Sequence, residues 1–221
     1  MSEPLVNVGE VIVHGIVFDP KNGERLRAMD LNEIFDSVPK LFDLLDQRGI
    51  DYALVGGIAM LAYVDGRNTQ DIDLIVARED LERLPEVKIE EDNHDFSRGW
   101  LGDLRVDFLF TQNKLFEVVL NDYAVTQEFV GRQIPCATHA GLVMLKLFAL
   151  PSLYRQARFD RVRIYQNDVT ELIEKFNPPL EPIFQELAKH LLPSDMDELR
   201  SIVQKIETDI TESRQRFRGD A

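Results

Sequence analysis

Leu54-Val-Gly-Gly-Ile-Ala-Met-Leu-Ala-Tyr-Val-Asp-Gly-Arg-Asn-Thr-Gln-Asp-Ile-Asp-Leu-Ile-Val76 is the stretch on which the reading of this chain turns. Tyr52 to Val55 is a short apolar strand, broken by Gly56-Gly57, and Ile58 to Tyr63 reads as a short helix. Gln70 to Ala77 reads as a second strand. Its Asp71 and Asp73 fall on one face, because strand side chains alternate with period two. Two carboxylates held side by side repel each other and favour a hard cation bound through oxygen, such as Mg²⁺. The pair alone is weak evidence: the chain holds 21 Asp, and a second pair occurs at Asp195 and Asp197. That second pair stands where a helix should begin, and N-terminal capping accounts for it.

Context separates the two pairs. Ile72, Leu74, Ile75 and Val76 make the first an apolar strand, where a carboxylate is costly unless a cation compensates it. A third acid, Asp107, sits in a similar run, Leu104-Arg-Val-Asp-Phe-Leu-Phe110. Two acids on one strand and one on a neighbour would make a three-carboxylate site for two metal ions. An edge strand with Asp107 on its solvent face is the plainer alternative. Gly56 and Gly57, between a strand and a helix start, leave backbone N–H groups with little bulk to keep a phosphate away. Equally, two glycines can mark no more than a tight turn.

The rest of the sequence frames this segment. The chain has 221 residues, 44% of them hydrophobic, with 25 Lys+Arg against 39 Asp+Glu and a net charge of −14. That length and apolar content suit one large domain or two small ones with a real core. Between Asp71 and Asp95, ten acidic residues face three basic ones, so half the excess sits in 25 positions; most of it, from Glu79 onward, reads as a solvated face. Non-specific adhesion to nucleic acid or to an anionic membrane is disfavoured, although a local basic groove is not. The single cysteine, Cys136, excludes an internal disulfide and a multi-thiolate zinc site. With no secretory leader and no membrane-length apolar run, the expectation is a soluble cytoplasmic protein without a membrane partner.

Three regions are expected. Residues 1–28 read as a β-rich arm, since Glu10 to Phe18 is rich in β-branched residues and Asn22-Gly23 signals a turn. Residues 29–137 form the α/β core. A helix starts at Asp30, carries Leu31, Ile34, Phe35, Val38, Leu41, Phe42 and Leu45 on one face, and stops at Gly49. Phe96 to Leu101 and Leu104 to Phe110 form a hairpin around Gly102-Asp103, and one more strand lies near Glu128 to Pro135. Residues 138–221 are helical, over His139 to Leu150, Asn167 to Phe176, Pro182 to Leu191, and Asp195 to about Phe217.

This order of motifs resembles the nucleotidyltransferase fold typified by DNA polymerase β, and more closely the AbiEii-type nucleotidyltransferase family, some of whose members are toxins of toxin–antitoxin systems. The matching residues are Gly56-Gly57, Gly66-Arg67-Asn68-Thr69 leading into Asp71-Ile72-Asp73-Leu74, Asp107, and then Leu142-Val-Met-Leu-Lys-Leu-Phe-Ala149 with Arg155 and Asn167-Asp168-Val169. The resemblance spans roughly residues 30 to 175. It implies an α+β fold, a mixed sheet with flanking helices followed by a helical C-terminal region. It implies transfer of an NMP group from an NTP to an acceptor hydroxyl. Asp71, Asp73 and Asp107 would hold two Mg²⁺ ions, or Mn²⁺ in their place, and Gly56, Gly57, Arg67, Thr69 and Lys146 would bind the nucleotide. Asp168 would be a further catalytic-site carboxylate. The implied acceptor is RNA, tRNA in particular, and the implied protein partner an antitoxin. Two departures stand out. Many relatives carry Ser where this chain has Gly57, and the compact stretch from Asp73 to Asp107 leaves little room for an acceptor-binding insertion.

Lys146 is singled out by physics as well. Leu142, Val143, Met144, Leu145, Leu147, Phe148 and Leu150 surround it, and a helix apolar around most of its circumference is buried. The ammonium then either finds an anionic partner or snorkels to the surface. Asp168 has capping of a helix N-terminus as its alternative role. Arg155, Arg158, Arg161 and Arg163 form the strongest basic cluster, with a smaller one at Arg214, Arg216 and Arg218; the first would meet a triphosphate or an RNA acceptor. A small-molecule nucleotidyltransferase of the antibiotic-modifying type, and a catalytically idle nucleotide-binding protein, remain the alternatives.

Overall fold

A computed structural model describes residues 7–66, 68–129 and 131–217. The chain divides into two compact units, Met1–Thr138 and His139–Ala221.

Among the described residues, the first unit is built on a seven-stranded mixed sheet in the order β3-β4-β5-β2-β1-β7-β6. Its strands are β1 (Tyr52–Val55), β2 (Asp71–Val76), β3 (Lys88–Asp92), β4 (Phe96–Leu101), β5 (Leu104–Phe110), β6 (Ala124–Phe129) and β7 (Arg132–Ala137). Five helices accompany them: α1 (Val8–Val17), α2 (Arg25–Ala28), α3 (Leu31–Gln47), α4 (Gly56–Met60) and α5 (Lys114–Asp122). Strand β2 is antiparallel to β1 and parallel to β5, and β4–β5 is the expected hairpin. Ile72, Leu74, Val106, Phe108 and Phe110 point to one side of β2 and β5 and are fully buried. Helices α3 and α5 pack against these two strands. Period-two alternation then puts Asp71, Asp73, Arg105 and Asp107 on the opposite face.

Helix α3 forms as the sequence expects. Asp30 caps it by accepting from the Asn32 N–H (2.9 Å), and Gly49 follows its end at φ +57°, a conformation that favours glycine. Ile34, Val38, Leu41, Phe42 and Leu45 are buried, whereas Phe35 is 39% exposed.

The β-rich arm is corrected: residues 8–17 are helix α1, capped by Asn7, whose side chain accepts from the Glu10 N–H. Val8, Ile12, Val13 and Ile16 are its buried stripe, and the helix packs on α3. The helix propensity that a β-branched residue forgoes is about 0.5 kcal/mol. Burying a Val or Ile is worth about 1.5–3 kcal/mol, so packing decides the outcome. Asn22-Gly23 does mark a turn, but a 3-10 one (Pro20–Asn22) instead of a hairpin.

Other differences follow from absent signals. Strand β3 is exposed throughout, so no apolar alternation announces it. The strand expected near Glu128 to Pro135 is two strands, β6 and β7, paired antiparallel. Helix α5 was not anticipated.

The second unit consists of α6 (His139–Arg155), α7 (Phe159–Phe176), α8 (Leu180–Leu187) and α9 (Pro193–Phe217). Helix α6 buries Leu142, Val143, Met144, Leu147 and Leu150 and packs on α7, α8 and α9. Helix α7 begins eight residues before the expected Asn167. Among the described residues no helix is long and apolar enough to cross a membrane.

Candidate active site

Asp71, Asp73 and Asp107 lie on one face of two adjacent strands. In the β2–β5 ladder Asp73 lies directly opposite Asp107, and Asp71 opposite Arg105. Strand β5 has a neighbour on each side, so the edge-strand alternative for Asp107 is ruled out. Asp107 is only 5% exposed, while Asp71 and Asp73 are half-buried.

Two arginines that the sequence reading passed over belong to this face. Arg98 on β4 pairs across the hairpin with Asp107, its Nε and one terminal nitrogen each donating at 2.8 Å to the two carboxylate oxygens. Its guanidinium is held above its ordinary pKa, first by the hydrogen bond to Asp107 and further by the charges of Asp107, Glu91 and Asp73. Arg105 donates to Asp71 Oδ2, and its Nε lies 4.0 Å from Asp107 Oδ1. Both were available in outline. The Arg105-Val-Asp107 spacing puts those two side chains on one face. A two-residue Gly102-Asp103 turn pairs Leu101 with Leu104 and hence Arg98 with Asp107.

The glycine pair lies against these acids. Gly56 adopts φ +66°, and a methyl group there would overlap the Asp73 carboxylate. A Cβ on Gly57 would fall 2.6 Å from both Cβ and Oγ1 of Thr69. The bulk spared by glycine is therefore taken up by Asp73 and Thr69. Thr69 is buried, and its hydroxyl donates to Asp71 Oδ1 at 2.8 Å. Arg67 lies outside the described residues.

In donor type Asp71, Asp73 and Asp107 suit a hard divalent cation, offering oxygen only from adjacent strands and one face. As they stand, Arg98 and Arg105 supply the compensating charge. Among the described residues no three acidic, imidazole or thiol side chains are gathered into a ready cage for an ion.

Lys146 and Asp168 meet within the helical unit. Lys146 Nζ donates to Asp168 Oδ2 at 2.6 Å and lies 4.7 Å from the centre of the Tyr165 ring. Both residues are buried, at 5% and 0% exposure. Of the two readings of Lys146, the anionic partner is the one realised, and snorkelling is not. Asp168 sits in the middle of α7, which removes helix capping as its role. Of the basic cluster, Arg155 ends α6 and pairs with Asp195 at 2.9 Å, while Arg158, Arg161 and Arg163 are exposed at the start of α7. Arg214 donates to the Glu174 carbonyl, and Arg218 lies outside the described residues.

This α+β architecture, a mixed sheet with flanking helices, has counterparts among solved structures. The chain is similar to the crystal structure of an antigenic nucleotidyltransferase-like protein from Paracoccidioides brasiliensis, with a TM-score of 0.54, 15% identity, and 94% of this chain and 95% of that one covered. Lower similarity is found to the antibiotic-resistance factor ANT(2'')-Ia. Its solution structure matches at a TM-score of 0.45 and 13% identity, over 82% of this chain and 96% of that one. Its crystal structure in complex with adenylyl-2''-tobramycin matches at 0.45 and 16% identity, over 69% and 93%. No protein-family model matches the sequence, and no curated protein matches it.

Proposed function

We propose that this chain is a metal-dependent nucleotidyltransferase of AbiEii-like type, which moves an NMP group from an NTP to an acceptor hydroxyl. The observation that carries the reading is the meeting of Asp71, Asp73 and Asp107 on one face of adjacent parallel strands, with the Gly56 backbone against Asp73. Mg²⁺ bound by these carboxylates would lower the pKa of the acceptor hydroxyl and neutralise charge on the α-phosphate. The acceptor oxygen bonds to the α-phosphorus, the bond from that phosphorus to the α,β-bridging oxygen breaks, and pyrophosphate leaves. The hydroxyl proton departs toward the carboxylate face. Arg98 and Arg105 are forked donors on the same face, a geometry suited to phosphate oxygens. Gly56, Gly57 and Arg67 keep their assignment to the nucleotide, while Thr69, buried with its hydroxyl on Asp71, supports the carboxylate instead. Lys146 and Asp168, buried against each other within the helical unit, are read here as a structural pair in place of the triphosphate contact that the resemblance implies.

For the acceptor we propose RNA, tRNA in particular. The support is the exposed set Arg158, Arg161 and Arg163 on an otherwise acidic chain. The test incubates the protein with each α-labelled NTP, Mg²⁺, and either total RNA or a panel of aminoglycosides. Label is expected on RNA, with Asp71→Asn/Asp73→Asn losing several kcal/mol of transition-state stabilisation, about a thousandfold in kcat. Label on an aminoglycoside instead would reassign the acceptor. Nucleotide binding without metal-dependent turnover would make the protein catalytically idle and overturn the proposal. A toxin role predicts growth arrest on induced expression, abolished by the same double substitution and relieved by a co-expressed antitoxin.

A further inference from the structure

Thr69 is boxed in on three sides. Its side chain faces Gly57, where a Cβ would come within 2.6 Å. Its hydroxyl is committed to Asp71 Oδ1. Its backbone carbonyl lies against Gly15 of α1, so closely that a methyl on Gly15 would overlap the carbonyl oxygen. The next residue is gripped from the same side. Asn22 Nδ2 donates to Gln70 Oε1 (3.0 Å) and to the Ile16 carbonyl (3.1 Å), and Gln70 Nε2 donates to Asp19 Oδ2 (2.9 Å). The segment from Gly15 to Asn22 thus holds the two residues immediately before the Asp71 carboxylate. Helix α1 is a firm base for this grip, because Ile12 and Ile16 are fully buried.

We propose that α1 and the turn after it are a positioning element of the carboxylate site, acting on Asp71 through Thr69, with Gly15 setting the distance. A terminal carboxylate torsion is broad, so a lone aspartate samples many orientations. One hydroxyl bond to Oδ1 narrows that range, provided the hydroxyl itself cannot move. Thr69 has no slack: pushed at its carbonyl by a side chain on α1, it cannot retreat past Gly57, and the hydroxyl must shift. Sites held loosely by their surroundings bind and react poorly even with every group present.

The inference rests on the reading of Asp71 as a cation ligand, and Mn²⁺ alone is the probe. Binding is followed by the electron paramagnetic resonance signal of free Mn²⁺ on the full chain, with thermal melting in parallel. Gly15→Ala is expected to weaken Mn²⁺ binding by about three- to tenfold, although alanine is the better helix former. Thr69→Val should weaken it similarly, and Thr69→Ser, which keeps the hydroxyl, should stay within about twofold of wild type. Gly15→Ala added to Thr69→Val should change nothing further, because both act through one bond. If Gly15→Ala fails to fold, Asn22→Ala decides the matter, with an expected loss of about twofold. The inference is overturned if Gly15→Ala (or Asn22→Ala in its place) binds Mn²⁺ like wild type, if the effects of Gly15→Ala and Thr69→Val multiply, or if wild type binds no Mn²⁺. Coupled Mn²⁺ binding without any nucleotide transfer would leave the inference standing and sink the proposed function. Transfer with no coupling would do the reverse.

Discussion

The sheet face of the first unit and the α6–α7 interface of the second each hold a carboxylate bound to a cationic side chain, yet the two pairs differ in kind. Arg98 is partly exposed and also extends to Glu91, although its partner Asp107 is buried. In the other pair both members, Lys146 and Asp168, are buried. A guanidinium at an open face can be exchanged for another cation, because water and incoming ligands offset its departure. A sealed ammonium cannot leave without stranding its partner in a low-dielectric interior. Similar charges at similar distances therefore make an adaptable site in one place and a fixed brace in the other.

The sharpest break of this contrast is Lys146→Met. Leaving Asp168 buried without the ammonium should cost about 3–5 kcal/mol in urea denaturation, and Lys146→Met/Asp168→Leu should recover most of the loss. A small loss for the single change would erase the distinction. Gly56→Ala comes next. The left-handed backbone costs a non-glycine residue about 1–2 kcal/mol, and the new methyl must also displace the Asp73 carboxylate. Stability and nucleotide transfer should fall together, read by melting and by the labelled-NTP assay.

Arg98→Gln probes the adaptable pair. With Asp107 less neutralised, Mn²⁺ should bind about fivefold tighter at low salt, a change of about 1 kcal/mol seen by calorimetry. Unchanged or weaker binding would mean that Arg98 braces Asp107 as Lys146 braces Asp168.

The smallest effect is expected at a third kind of pair, Arg48 and Glu86 on the surface. The hydrogen bond from Arg48 holds the Glu86 carboxyl down at about 2, below its ordinary 4.5. A depressed carboxyl contributes stability above its unfolded value and loses it as the pH falls toward the folded one. Its contribution should fade between pH 4.5 and about 2, and Glu86→Gln should flatten that part of the melting-temperature profile slightly.

Much of the first unit was legible because its signals are local. Alternation in Asp71 to Val76 and Leu104 to Phe110, the Gly102-Asp103 turn and the Asp30 cap each act within a few residues. The N-terminal helix was misread because β-branched content is a weak preference that burial against α3 outweighs. Strand β3 left no apolar pattern, since none of its residues is buried.

The carboxylate site divides the same way. That Asp71 and Asp73 share a face follows from strand geometry alone, and that Lys146 needs an anionic partner follows from its apolar surroundings. Which strand neighbours β2, and in what register, are long-range facts. They depend on crossovers and packing that no local rule determines. The sequence by itself determined the residue types and their periodicity, because side-chain direction is set by backbone geometry within one strand or helix. Only the tertiary structure decided that Asp107 faces Asp73, that Asp168 answers Lys146, and that Gly15 stands behind Thr69. These are contacts between segments far apart in the chain, selected by the burial of the whole.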